Sequence, residues 1–120
     1  MIINQIKLRQ LEKRTVNFSV AIVKTCANYS GDAALSHVSD RLIQSATSIG
    51  SHCIEANSSN SKSDFKISIY LAKREADQTR YWLKVLAELL PKDDLNRLSQ
   101  EALKLTLVLQ KIVTTLEKGE

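Results

Sequence analysis

Two histidines, each followed three residues later by a carboxylate, are the side chains best suited to hold a metal ion. His37 precedes Asp40, and His52 precedes Glu55. Helical bundles build di-iron sites from Glu-x-x-His units on different helices, together with two further glutamates. Here the order is reversed, and both units fall in one segment, opposite its apolar positions. We therefore expect two solvent-exposed histidines, with no metal and no cofactor bound.

Cys53 lies next to His52, the pairing that a cysteine nucleophile and its general base would need. Adjacent residues of a helix point about 100° apart, so these two side chains would not face each other. The sequence contains no Gly-x-Ser-x-Gly and no His-Glu-x-x-His motif. The paired carboxylates Asp93 and Asp94 are explained by a place at a helix start. We expect no enzymatic activity.

Basic side chains offer a different chemistry, the binding of phosphate groups. Seventeen Lys+Arg against thirteen Asp+Glu give a formal net charge of +4, which favours polyanions weakly. Asp77 and Glu88 interleave with the main basic face, so a solvated helix surface is the alternative. Because the sequence contains no zinc finger and no RRM signature, we expect a nucleic acid to be recognised through its phosphates and its shape. The candidate nucleic-acid-binding residues are Lys66, Lys73, Arg74, Arg80, Lys84, Lys13 and Arg14.

Length and composition indicate one domain, residues 1–120, with a single core. Apolar residues make up 43% and charged residues 25% of the chain, which are ordinary globular values. Only three glycines and one proline are present. These are too few for the tight turns of an all-β protein or for a glycine-rich phosphate loop. The chain is therefore predicted to be all-α, with a few long helices.

Three breaks divide the chain into four predicted helices. The first break ends in Asp32, an N-cap candidate. The polar run 57–61 ends in Ser61, which together with Asp64 resembles a capping box. Pro91 suits the first turn of a new helix. The predicted helices span about residues 5–29, 33–57, 62–90 and 92–118.

Each predicted helix carries apolar residues at alternating spacings of three and four. This period of 3.5 residues favours a left-handed supercoil with crossing angles near 20°, and short connections make neighbouring helices antiparallel. We predict an antiparallel up-down-up-down left-handed four-helix bundle. Gly50 lies inside the second helix, where we interpret it as a point of close approach. The predicted seams begin at Leu8, Leu35, Phe65 and Leu95 and end at Tyr29, Ala56, Leu90 and Leu116.

Two helices carry more apolar residues than their seams account for. A second stripe on the third helix is displaced by roughly 120–130° from the seam, and the first helix has a similar one. A wide core stripe is one explanation. The other, which we favour, is burial against another subunit of a homo-oligomer. The candidate interface residues are Ile67, Leu71, Tyr81, Trp82, Val85, Val16 and Val20.

Cys26 and Cys53 lie on apolar faces without a Cys-x-x-Cys spacing. We expect two reduced core residues, not a disulfide. No apolar stretch approaches the roughly 18–20 residues of a membrane span, and residues 1–14 lack the apolar run of a secretory signal. The chain is predicted to be cytoplasmic, without a membrane partner.

Several short runs form a further pattern, which extends over roughly residues 10–116. They are residues 13–18 and 22–26, Ser45 to Gly50 with Glu55 and Ala56, residues 61–65, and Glu75 with Thr79 to Leu83. Together these runs resemble the bacterial four helix bundle protein family, which includes proteins encoded in intervening sequences of large-subunit ribosomal RNA genes. That family is distantly similar to the accessory variability protein of diversity-generating retroelements.

The resemblance implies an antiparallel four-helix bundle that assembles into a homopentameric ring. The retroelement relatives are basic barrels that bind nucleic acid and a reverse transcriptase. We therefore expect a non-enzymatic homo-oligomer that binds RNA or DNA through repeated basic surface residues. A nucleic-acid enzyme such as a reverse transcriptase is the expected protein partner. The alternative is a protein–protein interaction scaffold that does not bind nucleic acid.

Overall fold

The computed structural model describes residues 5–29 and 31–119, and the whole of this part of the chain is helical apart from short connections. Ser30, within the first predicted break, lies outside the described residues, as do residues 1–4 and 120. The first and third helices end two and three residues before their predicted ends. The four helices are α1 (Gln5–Ala27), α2 (Ala33–Asn57), α3 (Lys62–Ala87) and α4 (Lys92–Glu117).

Polar side chains cap two of the helix starts, as the sequence predicts. The Asp32 carboxylate accepts a hydrogen bond of 2.9 Å from the Leu35 backbone N–H at the start of α2. The Ser61 hydroxyl accepts one of 3.0 Å from Asp64 at the start of α3. Each cap satisfies a backbone donor that has no partner within the helix. Pro91 precedes α4 without a side-chain cap.

The four helices pack side by side in a bundle measuring 46 × 21 × 20 Å. The longest helices have 26 residues, about 39 Å at 1.5 Å per residue, so the molecule is little more than one helix long. α2 packs against α1 and α3, α3 also packs against α4, and α4 makes a looser contact with α1. Within the described chain, α1 and α3 are therefore diagonal neighbours, as are α2 and α4.

The predicted seams form the core of this bundle. Their central residues are almost completely buried, among them Ile22, Ile49, Ile69 and Leu105. Seam residues near helix ends, such as Leu35 and Leu90, are only partly covered. Five buried residues of the described chain fall outside the predicted seams, namely Ser39, Ser45, Gly50, Thr106 and Val113. Each borders a seam position along the helix and widens the buried face, as helices in globular proteins commonly require.

Gly50 marks a close approach of α1 and α2, which confirms the prediction. A Cβ atom at this position would lie 2.9 Å from the Thr15 hydroxyl oxygen and 3.2 Å from the Thr15 Cβ. Thr15 is itself buried, and its hydroxyl donates a hydrogen bond of 2.6 Å to the Glu12 carbonyl. Any residue other than glycine would therefore require Thr15 to shift.

Both cysteines are buried free thiols, as predicted. Burial raises the pKa of Cys53 to about 12 and also raises the pKa of Cys26. A thiol in this state is a poor nucleophile, since the thiolate is the reactive form. In the part of the chain that is described, no helix is long and apolar enough to cross a membrane.

Candidate nucleic-acid interface

The basic residues of α3 differ in how far they are already engaged. The Lys73 ammonium lies 2.8 Å from the Asp77 carboxylate, one helical turn away. The Lys66 ammonium lies 5.7 Å from the centre of the Tyr70 ring, within the range of a cation–π contact. No carboxylate in the described ranges pairs with the remaining predicted cations of this helix, which are Arg74, Arg80 and Lys84.

Arg14 is not part of this surface. Its guanidinium donates two hydrogen bonds to Glu101 of α4, of 2.7 Å from Nε and 3.0 Å from Nη2. This bidentate pairing raises the pKa of Arg14. Because α1 and α3 are diagonal in the bundle, neither Arg14 nor the exposed Lys13 joins the basic face of α3. The seven cations predicted from the sequence as one binding set therefore lie on two different sides of the bundle.

A groove of about 410 Å³ runs between α2 and α3 and brings together residues that the sequence treats separately. Its lining includes Arg74, predicted as a phosphate-binding residue, and Trp82, predicted as an interface residue. Arg41 of α2 also lines it and was not predicted. No described carboxylate pairs with either guanidinium. The remaining polar lining consists of Gln44, Ser45, Ser48, Glu75 and Gln78.

The floor of this α2/α3 groove is held by hydrogen bonds within the bundle. The buried Thr79 hydroxyl donates to Ser45 at 3.1 Å, across the contact between α3 and α2. Ser45 in turn donates to the Leu42 carbonyl at 3.1 Å. The small serine side chains let the two helices pack closely here. The floor is therefore fixed, whereas Arg41 and Arg74 on the rim are exposed.

The two adjacent aromatic residues of α3 have different environments. Trp82 is partly buried against the core, whereas the Tyr81 side chain is exposed. Their rings meet edge to face, with centroids 5.0 Å apart and planes at 76°. This geometry is favourable for aromatic pairs, and it helps to hold the indole at the groove. Leu71 and Val85, predicted with Trp82 as interface residues, are also partly covered by their own subunit.

The remaining predicted interface residues are exposed, in two separate places. Val16 and Val20 lie on α1, and Ile67 and Tyr81 lie on α3. Val23, one helical turn beyond Val20, is exposed as well. Since α1 and α3 are diagonal, these exposed apolar side chains lie on different sides of the bundle and do not form one continuous patch.

A second groove, of about 380 Å³, runs between α1 and α4. Phe18, Ala21 and Leu98 line it together with the basic residues Arg97 and Lys104. Its aromatic ring is inaccessible, since Phe18 is only 3% exposed. The groove thus combines an apolar wall with exposed charges, but it offers no ring on which a planar ligand could stack.

The histidines do not assemble a metal site. Among the described residues, no group of three or more His, Cys, Asp or Glu side chains could hold a metal ion. His37 is exposed, as predicted. The prediction is wrong for His52, whose side chain is only 22% exposed, with Nδ1 2.5 Å from the Glu55 carboxylate. His52 lies toward the flank of the buried face of α2, where neighbouring side chains partly cover it.

Sequence reasoning missed Arg41 and the Arg14–Glu101 pair for the same reason. A helical projection gives the face of each residue within its own helix, but it does not give the rotation of one helix against the next. The small residues Ser45 and Ser48, one and two turns after Arg41, are the one available signal. Small side chains at helical spacing indicate where a neighbouring helix can approach.

Four helices around one apolar core, with polar grooves between them, define a four-helix bundle protein. The chain belongs to the family described as 23S rRNA-intervening sequence protein, which matches residues 9–111. This match confirms the resemblance found in the sequence.

The structure is similar to that of a protein with unknown function from the S23 ribosomal protein family of Bacteroides thetaiotaomicron. The TM-score is 0.82 and the identity is 24%, over 90% of this chain and 98% of that chain. At this identity the likeness concerns the fold alone. No curated protein matches the chain.

Proposed function

We propose that this protein is a non-enzymatic helical bundle that binds nucleic acid through the basic residues of α3. The observation that carries the proposal is a set of three cations on α3, Arg74, Arg80 and Lys84, that have no carboxylate partner among the described residues. Unpaired guanidinium and ammonium groups can neutralise phosphates without first breaking an ion pair. The family description, 23S rRNA-intervening sequence protein, supports a nucleic-acid context.

The engaged cations have different roles in this proposal. Lys66 and Lys73 make only single contacts within their own helix, which a phosphate can replace at small cost. Arg14 instead joins α1 to α4 through two hydrogen bonds. We therefore assign Lys66 and Lys73 to the binding surface and Arg14 to the stability of the bundle.

The test is the affinity for generic RNA and DNA across a salt series. We expect log K to fall linearly with log salt concentration, with a slope set by the number of phosphates contacted. Arg80→Gln and Lys84→Gln should each reduce that slope by about 1 and weaken binding to all sequences alike. Lys111→Gln, on the exposed face of α4, is the matched control and should change neither quantity.

Two results would overturn this proposal. The first is no binding at low salt, and the second is binding that does not respond to salt. Recovery of a specific protein from nuclease-treated lysate, with no affinity for nucleic acid, would favour the interaction scaffold instead.

We further propose that neighbouring helices run antiparallel, with a left-handed supercoil. Arg14 meets Glu101 and Tyr29 meets Asp94, so positions that advance along α1 recede along α4. The connections of four residues on each side of α3 also favour a reversal of direction. The 3.5-residue spacing of the core positions supports the left-handed sense.

We also propose that the bundle forms a homo-oligomeric ring in the cytoplasm, with five subunits as the family resemblance implies. A head-to-tail contact requires two different surfaces, and exposed apolar side chains occur on two different helices, α1 and α3. Val16 and Val20 are 52% and 46% exposed, and Ile67 is 55% exposed. The buried free thiols fit a reducing compartment.

Sedimentation at micromolar concentration tests the assembly. Val20→Lys should shift the protein to monomers, because it places a charge in an apolar contact. Lys24→Gln, one turn further along α1, is the surface control and should leave the oligomer intact. A wild-type protein that sediments as a monomer would contradict the proposal.

A further inference from the structure

We propose that the α2/α3 groove is a single-stranded nucleic-acid site, in which a base stacks on Trp82 while Arg41 and Arg74 hold the adjoining phosphates. This inference rests on the proposed function and assigns a substrate class to it. The groove has a volume of about 410 Å³ and is open to solvent, a volume in the range of small-ligand sites.

The charges of the groove favour an anion. Two guanidinium groups, from Arg41 and Arg74, line one groove without a carboxylate partner in the described chain. Glu75 is the one acidic residue of the lining, so the groove carries an excess of positive charge. Arginine is well suited to phosphate, because its planar fork donates two parallel hydrogen bonds.

The ring and the amides favour a base beside that phosphate. Trp82 lies at the groove with part of its indole accessible and part packed on the core. A ring held in this way loses little freedom when a base stacks on it. Gln44 and Gln78 line the same groove, and each amide offers both donors and acceptors to base edges.

The length of the groove favours a strand over a single nucleotide. Arg74, Gln78 and Trp82 occur at intervals of four residues and form one row along α3. Eight residues separate the first from the last, a rise of about 12 Å at 1.5 Å per residue. Bases in a duplex are paired and stacked on one another, so only an unpaired strand can present one to the indole.

The experiment uses the intrinsic fluorescence of the protein, since Trp82 is its one tryptophan. Oligothymidylate of about ten nucleotides is titrated into the assembled wild-type protein at low salt. We expect quenching of the Trp82 emission on binding, and no comparable quenching with the duplex of the same oligonucleotide. Free thymidine monophosphate should bind far more weakly. Equal affinity for the free nucleotide would overturn the assignment to a strand.

Variants separate this inference from the proposed function. Arg41→Gln and Arg74→Gln should each weaken oligothymidylate binding about tenfold, the effect of losing one charge-assisted hydrogen bond. Measured by fluorescence anisotropy of labelled oligothymidylate, Trp82→Ala should have a similar effect, and Trp82→Phe a smaller one, because phenylalanine retains a ring. Thermal unfolding of both Trp82 variants shows whether they still fold. If they do not, the two arginine variants still test the groove.

The outcomes are distinct. Salt-dependent binding that is weakened by Arg80→Gln and Lys84→Gln but not by Arg41→Gln, with unchanged Trp82 emission, overturns the groove assignment and leaves the proposed function standing. Absence of any binding overturns both. Quenching by the single strand, together with the loss of affinity in the two arginine variants, supports the groove.

Discussion

The α2/α3 groove and the α1/α4 groove have nearly equal volumes, but they differ in the aromatic ring that lines them. Both the α2/α3 groove, of about 410 Å³, and the α1/α4 groove, of about 380 Å³, are lined by two basic residues and one glutamate. The α2/α3 groove has the partly accessible indole of Trp82, whereas Phe18 of the α1/α4 groove is buried. Positive charge alone therefore does not distinguish them. An accessible aromatic face does.

The glutamates of the two grooves also differ. Glu101 is held by two hydrogen bonds from Arg14, so it joins α1 to α4. Within the described residues, the Glu75 carboxylate has no ion-pair partner. The acidic side chain of the α1/α4 groove thus stabilises the contact between α1 and α4, the two adjacent helices that pack least closely. The α2/α3 pair is already held by its close packing.

The largest expected effect is on stability, and it should differ between Phe18 and Trp82. Phe18→Ala should lower the free energy of unfolding by about 3–5 kcal/mol, because it removes a fully buried ring and leaves a cavity. Trp82→Ala should cost less stability, since part of its ring is already in solvent. Urea unfolding monitored by circular dichroism measures both. A larger loss for Trp82→Ala than for Phe18→Ala would reverse the comparison.

The next effect concerns α1 and α2, whose contact lies outside both grooves. Gly50→Ala should destabilise the protein by about 1–2 kcal/mol, because the added Cβ would lie 2.9 Å from the Thr15 hydroxyl oxygen. The better helix propensity of alanine offsets only part of the cost. In a Thr15→Ala background, which lacks this hydroxyl group, the loss caused by Gly50→Ala should shrink. A gain in stability for Gly50→Ala alone would contradict this account.

A smaller effect should come from the ion pair of the α1/α4 groove. Arg14→Gln should cost about 0.5–1 kcal/mol of stability, since the pair is bidentate but partly exposed. Glu101→Gln should cost a similar amount, and the double variant should cost little more than either single one. Strictly additive losses would mean that the interaction between Arg14 and Glu101 contributes nothing to the free energy of unfolding. Neither variant should alter affinity for nucleic acid.

The smallest effect is a dependence of stability on alkaline pH. The pKa of Cys53 is raised from 9.0 to about 12, so the unfolded state loses this proton first. The stabilisation that the protonated Cys53 thiol contributes is complete well below pH 9, and it is lost as the pH rises toward the folded pKa. About 0.4 kcal/mol should already be lost at pH 9. The decline should be weaker in Cys53→Ala than in the wild type, and identical declines would contradict the assignment.

The sequence predicts this fold closely but the grooves poorly, and the reason is physical. Burial of Ile22, Ile49 and Ile69 follows from periodicity within each helix, which the order of residues determines. The meeting of Arg41 with Trp82 at one groove depends on how far each helix is rotated against its neighbour. That rotation is set by close packing of small residues such as Ser45, and no single-helix pattern contains it.

The same limitation explains the misplaced basic residues. Arg14 and Arg74 are similar as cations of exposed helix faces, and charge counting treats them alike. Their roles differ because Arg14 forms an ion pair with Glu101 of a distant segment, whereas Arg74 forms none with any described carboxylate. Contacts between residues 87 positions apart in the sequence cannot be derived from local spacing.

The most direct test of the account compares the same substitution in the two grooves. Arg74→Gln and Arg97→Gln each remove one exposed guanidinium, the first beside Trp82 and the second in the groove with the buried Phe18. Affinity for oligothymidylate, measured by fluorescence anisotropy at fixed salt, should fall about tenfold for Arg74→Gln and less than about twofold for Arg97→Gln. Equal losses would contradict the central claim, because the two grooves would then act through charge alone.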